Sequence, residues 1–205
     1  TMVANNMVGT MDHMKQAFFA ESSTKHALLA GPSMLMMLDG FLVSSPDNTD
    51  LLQRGAEMNC AYAQTFLDDT DREYSQAIYT KGMKYALQAL KLEYPDLSEA
   101  IGKSDDAAIV RELEKVDEDG MPVIFWSAIC WGGLINASMD AALATDLPIV
   151  ERLVERSIKL NPDYYFGAGD LFYGMFYAGR SEMLGGNLEK GKEHFEKAIN
   201  RTGST

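Results

Sequence analysis

The sequence lacks the long apolar runs and the positive charge that mark membrane-spanning and nucleic-acid-binding proteins. No run of roughly 18 apolar residues occurs, which predicts that no segment spans a bilayer. The first residues have no basic region followed by an apolar core, so no intact signal peptide is predicted there. A net charge of −12 argues against binding to nucleic acid or anionic lipid, because both need clustered cations. We interpret this charge as favouring solubility.

Cysteine is also scarce, with only Cys60 and Cys130 in 205 residues. Both lie in stretches with helical periodicity, and we expect two free, buried thiols. A single disulfide that links two helix pairs is the alternative in an oxidising compartment. Cysteine content by itself therefore does not decide the compartment.

Catalytic and metal-binding motifs are absent. No G-x-S-x-G, P-loop or dinucleotide fingerprint occurs. His13, His26 and His194 are far apart and share no carboxylate or cysteine pattern, so no zinc site is predicted. The acidic stretch 68–71 resembles the Mg²⁺ site of all-α terpenoid synthases, but its spacing is D-D-x-D, and we interpret it as a helix start. We expect no enzymatic activity, metal or cofactor.

Helical periodicity is frequent, whereas sustained strand alternation and Asn-Gly hairpin turns are absent. Helices are predicted over 24–44, 49–67, 71–93, 121–143, 164–184 and 188–200, with a further helix that Asp146 caps and Asn161-Pro162 ends. Thr24 is the predicted cap of the first of these helices. Residues 96–120 are predicted to form a long connection that holds one or two short helices, the clearer at 105–115.

The stretch from Phe125 to Asp163 indicates how these helices are arranged. Its first helix is apolar nearly all round, and such a helix has to be enclosed by neighbours. The last two predicted helices have tetratricopeptide spacing, with small residues at Gly179, Gly191 and Ala198. Looser copies of this pair end at the two prolines Pro95 and Pro162. The sequence therefore predicts one all-α domain over residues 1–205, a tetratricopeptide-like stack of helix pairs (α-solenoid).

Three segments of the chain resemble a known family. FWSAICWGGLINASMD, LPIVERLVERSIKLNPDYYFGAGDLFYG and YTKGMKYALQALKLEYPDL are similar to the T-component of tripartite ATP-independent periplasmic (TRAP) transporters. The resemblance covers about residues 24–200. It is strongest at Trp126, Trp131, Leu153, Arg156, Leu160, Pro162 and Gly167.

This resemblance implies a fold, a function and a location. Members are tetratricopeptide-like, periplasmic and usually lipid-anchored, and they form homotrimers in which a channel perforates each protomer. The implied function is that of a non-enzymatic accessory that pairs with the periplasmic solute-binding protein and channels a small apolar or organic-acid ligand. The lipid-attachment cysteine and the family's further C-terminal helices are not found here. The alternative function is a generic tetratricopeptide-like protein-interaction scaffold.

Aromatic residues are the candidates for a ligand channel, because such linings are mostly apolar with a few polar anchors. Asn136 and Arg180 are the candidate anchors, since each lies among apolar neighbours on a predicted helix. Core packing is the alternative for every residue of this set. The Met-rich segment 34–37 is either an adaptable binding surface or core filling. The candidate lining residues are Trp126, Trp131, Asn136, Phe172, Tyr173, Phe176 and Arg180.

Overall fold

The chain is built from α-helices packed in pairs, as the periodicity predicts. A computed structural model describes residues 2–180, 182 and 185–202, with the backbone alone for residues 2–8 and 202. Within that part of the chain there are ten α-helices and no β-strand. The predicted fold class, an all-α stack of helix pairs, is therefore confirmed.

The helix bounds follow the predicted ranges in the first half of the chain and depart from them in the second. The helices are α1 (Met2–Phe19), α2 (Thr24–Ser44), α3 (Thr49–Phe66), α4 (Arg72–Glu93), α5 (Pro95–Gly102), α6 (Asp106–Leu113), α7 (Met121–Ser138), α8 (Leu147–Leu160), α9 (Tyr164–Ala178) and α10 (Leu188–Thr202). A short 3-10 turn, Leu143–Asp146, precedes α8. Helix α1 is not among the predicted helices.

Side-chain caps fix where several helices begin. Oxygen atoms of Ser23, Asn48, Asp71 and Asp105 each accept a hydrogen bond from the backbone N–H three residues later. The cap at Asp71 confirms that the acidic stretch is a helix start. Thr24 is wrong as a predicted cap, whereas Asp146 does stand at the N-cap position of α8. Ser23 caps α2, and Asp146 has helical backbone angles (φ −86°, ψ −5°) and makes no side-chain cap bond.

The predicted long connection is two packed helices. Helices α5 and α6 are short, but their apolar faces pack into the core through Leu97, Ile109 and Leu113. Val116, just after α6, is also fully buried. Arg156 on α8 donates hydrogen bonds to the carbonyls of Glu114 and Val116 at the end of α6. These contacts hold the segment against the helix stack.

Helix α7 is the centre of the stack. It packs against α3, α4 and α8, and nearly all of its first three turns is buried. Enclosure of this apolar helix is therefore confirmed. The helix ends earlier than predicted, because Met139 adopts a left-handed conformation (φ 57°) that stops helical hydrogen bonding.

Cys60 and Cys130 are joined in a disulfide that links α3 to α7. The expectation of two free thiols was therefore wrong. Both sulfur atoms are buried where α4 crosses, and a Cβ at Gly82 would lie only 2.3 Å from the Cys60 Sγ. The glycine lets three helices meet closely enough for the cysteine Cα atoms to approach to 5.3 Å. Helical periodicity alone does not reveal that approach.

Two helices in the described residues, α2 and α7, are long and apolar enough to cross a membrane by length and composition. In α7 the apolar stretch is 72% buried by other helices of the chain, which is the environment of a soluble core helix. In α2 the corresponding stretch is 28% buried. Neither helix contains an uninterrupted apolar run of that length, because isolated polar residues interrupt the apolar stretch of each, and the sequence prediction therefore missed both.

The C-terminal pair α9–α10 has the close approach expected of a tetratricopeptide pair. A Cβ at Gly191 would lie 3.0 Å from the Cβ of Ala178 and 3.2 Å from the carbonyl oxygen of Gly174. Gly191 and Ala198 are buried, as predicted. Helical spacing also predicts burial of Leu188, Phe195 and Ile199. Phe195 is half-buried, but the prediction is wrong for Leu188 and Ile199, which are 74% and 53% exposed. The tetratricopeptide spacing predicts that Gly203 stands where the closing proline of the repeat would be, and this position lies outside the described residues.

The start of α9 is a left-handed turn and not the regular helix that was predicted. Tyr165, Phe166 and Gly167 have φ values of 48°, 61° and 71°. Left-handed backbone is unfavourable for residues with a Cβ, so tertiary contacts must hold this turn. Arg201 supplies two of them, because its guanidinium donates to Asp163 at 2.7 Å and to Asp170 at 3.0 Å.

Candidate functional site

A cavity of about 380 Å³ lies between the C-terminal halves of α3 and α7, the segment 139–147 and helix α9. It falls within the volume range of small-molecule sites. Its walls are mainly apolar. The apolar side chains on the walls include Ile129, Ile135, Leu147, Phe172, Met175 and Phe176.

Glycines on α7 shape the inner wall of this cavity. A Cβ at Gly133 would lie 2.2 Å from the ring of Tyr79, and one at Gly132 would lie 3.1 Å from the ring of Phe172. Because these positions have no side chain, rings from α4 and α9 reach the backbone of α7. The glycines therefore place aromatic faces, and not α7 side chains, at this wall.

Four of the seven predicted lining residues meet at this cavity. Phe172, Phe176 and the two candidate anchors, Asn136 and Arg180, all line it. They come from α7, α9 and the residues that follow α9, which approach one another only in the folded chain. Their role in binding a ligand remains a prediction.

The other three predicted lining residues lie elsewhere. Trp126 is 1% exposed, and its indole N–H donates to the hydroxyl of Tyr164 at 3.2 Å. Trp131 is buried in the core, where its indole N–H has no hydrogen-bond partner. Tyr173 stacks on Tyr177 and lies against His194 of α10. The structure thus places both tryptophans in the packed interior.

An acidic group that the sequence pattern assigned to a helix start stands on the opposite wall. The Asp68 carboxylate accepts hydrogen bonds from the Ser75 hydroxyl at 2.5 Å and from the Tyr79 hydroxyl at 3.0 Å. Burial raises the pKa of Tyr79 well above its usual value, and the Asp68 charge adds to the increase. Tyr79 therefore stays a neutral donor, and both Asp68 oxygens are already engaged.

The positive group of the cavity is the guanidinium of Arg180. Its central carbon lies 3.6 Å from the centre of the Phe176 ring, a cation–π geometry. In the described part of the chain no carboxylate lies within ion-pair distance of it. Burial lowers the pKa of Arg180, and the negative charge of Glu151 on α8 opposes that decrease. Arg180 is thus a partly desolvated cation without a direct counter-ion.

Several wall residues were missed by sequence reasoning. Tyr79, Gly133 and Met175 lie on helices whose apolar spacing looks like ordinary core. Asp68 precedes a helix cap and was assigned to it. The only available signal was the close repetition of glycines at 132–133 in an apolar helix, which marks a close approach by another element.

A second, smaller cavity of about 70 Å³ lies under α1. Phe18, Phe19 and Met34 contribute to its walls, and its charged groups are Lys15 and Glu57, which pair at 2.9 Å. Within the Met-rich segment, Met34 faces this cavity while Met36 is exposed. No group of three His, Cys, Asp or Glu residues that could hold a metal occurs among the residues described.

Comparison with known proteins relates this geometry to a family. The sequence matches the family described as TRAP transporter T-component over residues 26–205. It is also similar to an uncharacterised protein of Treponema pallidum (strain Nichols), with 22% identity over 180 residues. That similarity covers 80% of this chain and 56% of the relative, so the chain spans a little more than half of the relative's length. The match to the family includes every residue that lines the larger cavity.

Proposed function

This chain belongs to the TRAP transporter T-component family, and we propose that it associates with the periplasmic solute-binding protein of a TRAP transporter and holds a small ligand for it. The family is an accessory, extracytoplasmic part of the transporter. The proposed ligand is apolar or an organic acid, and it occupies the 380 Å³ cavity between α7 and α9. The protein acts by binding, without catalysis.

The observation that carries this proposal is the composition of the cavity. Aromatic and aliphatic side chains form most of the wall, and a few polar groups stand at its edges. Such an arrangement is typical of small-molecule sites. Catalysis would need an activated nucleophile beside a base. The hydroxyl of Tyr79 donates to the Asp68 carboxylate at 3.0 Å, but burial raises the pKa of Tyr79 well above its usual value and so disfavours the nucleophilic phenolate.

The disulfide supports a periplasmic location. Disulfides persist in oxidising compartments, which include the bacterial periplasm, and are rare in the cytosol. The Cys60–Cys130 bond is buried and joins helices that are distant in sequence. We further propose that the protein is lipid-anchored, as family members usually are.

We also propose that the protein forms a homotrimer. Helix α2 supports this assembly, because one of its faces is apolar and exposed. Leu29, Met36 and Val43 recur on it at intervals of seven residues and are 66%, 73% and 83% exposed. This exposed apolar face extends along most of the helix. Burial between copies would remove it from water.

Sedimentation velocity with the cognate solute-binding protein tests the main proposal. We expect a complex that sediments faster than either protein at micromolar concentrations. A solute-binding protein from an unrelated ABC transporter is the control and is expected to sediment independently. If no association with the cognate protein occurs at high micromolar concentration, the proposed function is wrong.

A further inference from the structure

We propose that the cavity selects a singly charged organic acid, whose carboxylate binds Arg180 and whose apolar body lies against Phe172 and Ile135. This inference rests on the proposed ligand-binding function and adds the charge class of the ligand. The charged groups of the cavity support it.

The acidic groups at the cavity are already engaged within the protein. Asp68 accepts from Ser75 and Tyr79, one bond to each carboxylate oxygen. Asp140, at the rim, accepts from the backbone N–H of Ala142 at 2.8 Å. Neither carboxylate therefore needs a cationic ligand to satisfy it. A ligand with an ammonium group would also have to approach Arg180, which repels it.

Arg180, in contrast, is a charged group without an ion-pair partner among the described residues. The central carbon of its guanidinium lies over the Phe176 ring, and the N–H donors of a guanidinium stand at the edge of the group. Desolvation of a charge is unfavourable unless hydrogen bonds compensate it. A planar carboxylate supplies that compensation, because its two oxygens match two guanidinium N–H groups. A neutral ligand leaves the cation without a counter-ion.

The charge of the ligand is limited to one by the rest of the wall. Arg180 is the single Lys, Arg or His among the described residues that line the cavity. A second carboxylate on the ligand would therefore find no second cation. Beside apolar side chains, the wall offers it only the neutral amides of Gln64 and Asn136 and the acids Asp68 and Asp140. These surroundings disfavour it. An acid with one carboxylate and an apolar body fits the wall, and a dicarboxylate does not.

Glu151 provides an independent test of whether the ligand carboxylate binds beside Arg180. It lies on α8 beyond ion-pair distance, yet its charge acts on Arg180. Burial raises the pKa of Glu151, and the Arg180 charge opposes the increase. A bound carboxylate would be repelled by Glu151, so removal of this charge is expected to strengthen binding. A purely structural role for Arg180 predicts no such response.

Isothermal titration calorimetry at pH 7.5 with three probes of equal chain length tests the inference. The probes are octanoate, 1-octanol and suberate, which carry one, no and two carboxylates. We expect wild-type protein to bind octanoate more tightly than 1-octanol and to bind suberate most weakly. R180Q is expected to weaken octanoate about tenfold or more, the typical effect of losing charged hydrogen bonds, and to leave 1-octanol unchanged. E151Q is expected to strengthen octanoate severalfold.

R111Q is the matched control, since Arg111 is an exposed arginine on α6, away from the cavity. It removes the same charge and should leave octanoate binding unchanged. Circular dichroism and thermal unfolding of each variant verify the fold. Equal loss of octanoate and 1-octanol in R180Q would assign Arg180 to structure and overturn the inference.

The outcomes separate this inference from the proposed function. Binding of octanoate and 1-octanol that is equal in wild type and in R180Q would leave the ligand cavity in place and exclude an anion anchor. Tighter binding of suberate than of octanoate would also overturn the inference. If no probe binds wild-type protein at millimolar concentration, the inference and the ligand-holding part of the proposed function are both wrong.

Discussion

Aromatic residues of this chain fall into two environments that only their neighbours distinguish. Trp126 meets the rings of Phe125 and Tyr165 edge to face at 5.1 and 4.8 Å and is excluded from water. Phe176 carries the Arg180 guanidinium on its face and lines the cavity. Side chains of similar chemistry thus stabilise the fold in one place and shape a binding site in the other.

Replacement of Trp126 measures the first of these roles. We expect Trp126→Ala to lower the free energy of unfolding by about 3–5 kcal/mol, because it empties a packed site and removes a hydrogen bond to Tyr164. Urea denaturation followed by circular dichroism measures the change. Phe176→Ala is the control, and we expect a smaller loss of about 1–2 kcal/mol at this half-buried position. A loss below about 1 kcal/mol at Trp126 would contradict its burial.

A substitution at Gly167 tests the left-handed turn at the start of α9. We expect Gly167→Ala to lower the free energy of unfolding by about 1–2 kcal/mol, since a Cβ is unfavourable at its φ of 71°. The added carbon would also lie 3.1 Å from the Arg201 Cδ. Gly102→Ala is the matched control, because a Cβ there meets open space. Equal thermal midpoints for the two variants would indicate that the turn is not left-handed in solution.

At the scale of elements, α7 is the helix on which the others depend. It is joined covalently to α3, packs against α4 and α8, and presents its glycines to the cavity. Arg72 at the start of α4 donates to the carbonyls of Asn136 and Ala137, which completes the C-terminal turn of α7. The same helix therefore carries the core on one side and the cavity wall on the other.

Removal of the disulfide tests the covalent link. The Cys60→Ala and Cys130→Ala double variant is expected to lose about 2–4 kcal/mol of unfolding free energy, because the bond closes a long loop in the unfolded chain. The sequence separation of the two cysteines is 70 residues. Guanidinium unfolding followed by circular dichroism measures the loss.

Thiol titration is the complementary measurement. Protein secreted to an oxidising compartment and unfolded without reductant should show no thiol that reacts with Ellman's reagent. Reduction before unfolding should yield two thiols per chain and the stability of the double variant. Two reactive thiols in the unreduced protein would mean that the bond between α3 and α7 does not form.

At the scale of the whole molecule, self-association through α2 is the open question with the clearest test. We expect Met36→Lys combined with Val43→Lys to convert the proposed trimer to a monomer in sedimentation velocity, since desolvated charges disfavour an interface. Gln76→Lys with Thr80→Lys, two exposed positions on α4, is the control and should leave the assembly unchanged. Monomeric wild-type protein would exclude the proposed trimer.

Much of the fold was predictable because helix formation is local. The ranges of α2, α3 and α4, the Asn187 cap of α10 and the Glu193–Lys197 ion pair all follow from residues within a few positions of one another. The left-handed turn at the start of α9 was not predictable, because Arg201 of α10 holds it in place. Local pattern at residues 164–167 favours a regular helix.

The candidate site was predicted in part for the same reason. Asn136 and Arg180 stood out because each is a polar residue within an apolar stretch, and both line the cavity. Asp68 and Tyr79 did not stand out, because their importance comes from facing α7 and α9 across space. Trp126 and Trp131 were grouped with the lining on chemistry alone, and the structure places them in the core.

The sequence by itself determined the helical class, most helix bounds and the family, because periodicity, caps and family motifs are properties of short segments. Only the tertiary structure decided which aromatic residues face the cavity, that Cys60 bonds to Cys130, and that Arg180 has no counter-ion among the described residues. Each of these depends on the distance between atoms that are far apart along the chain. Packing of the helices sets those distances, and no local pattern encodes them.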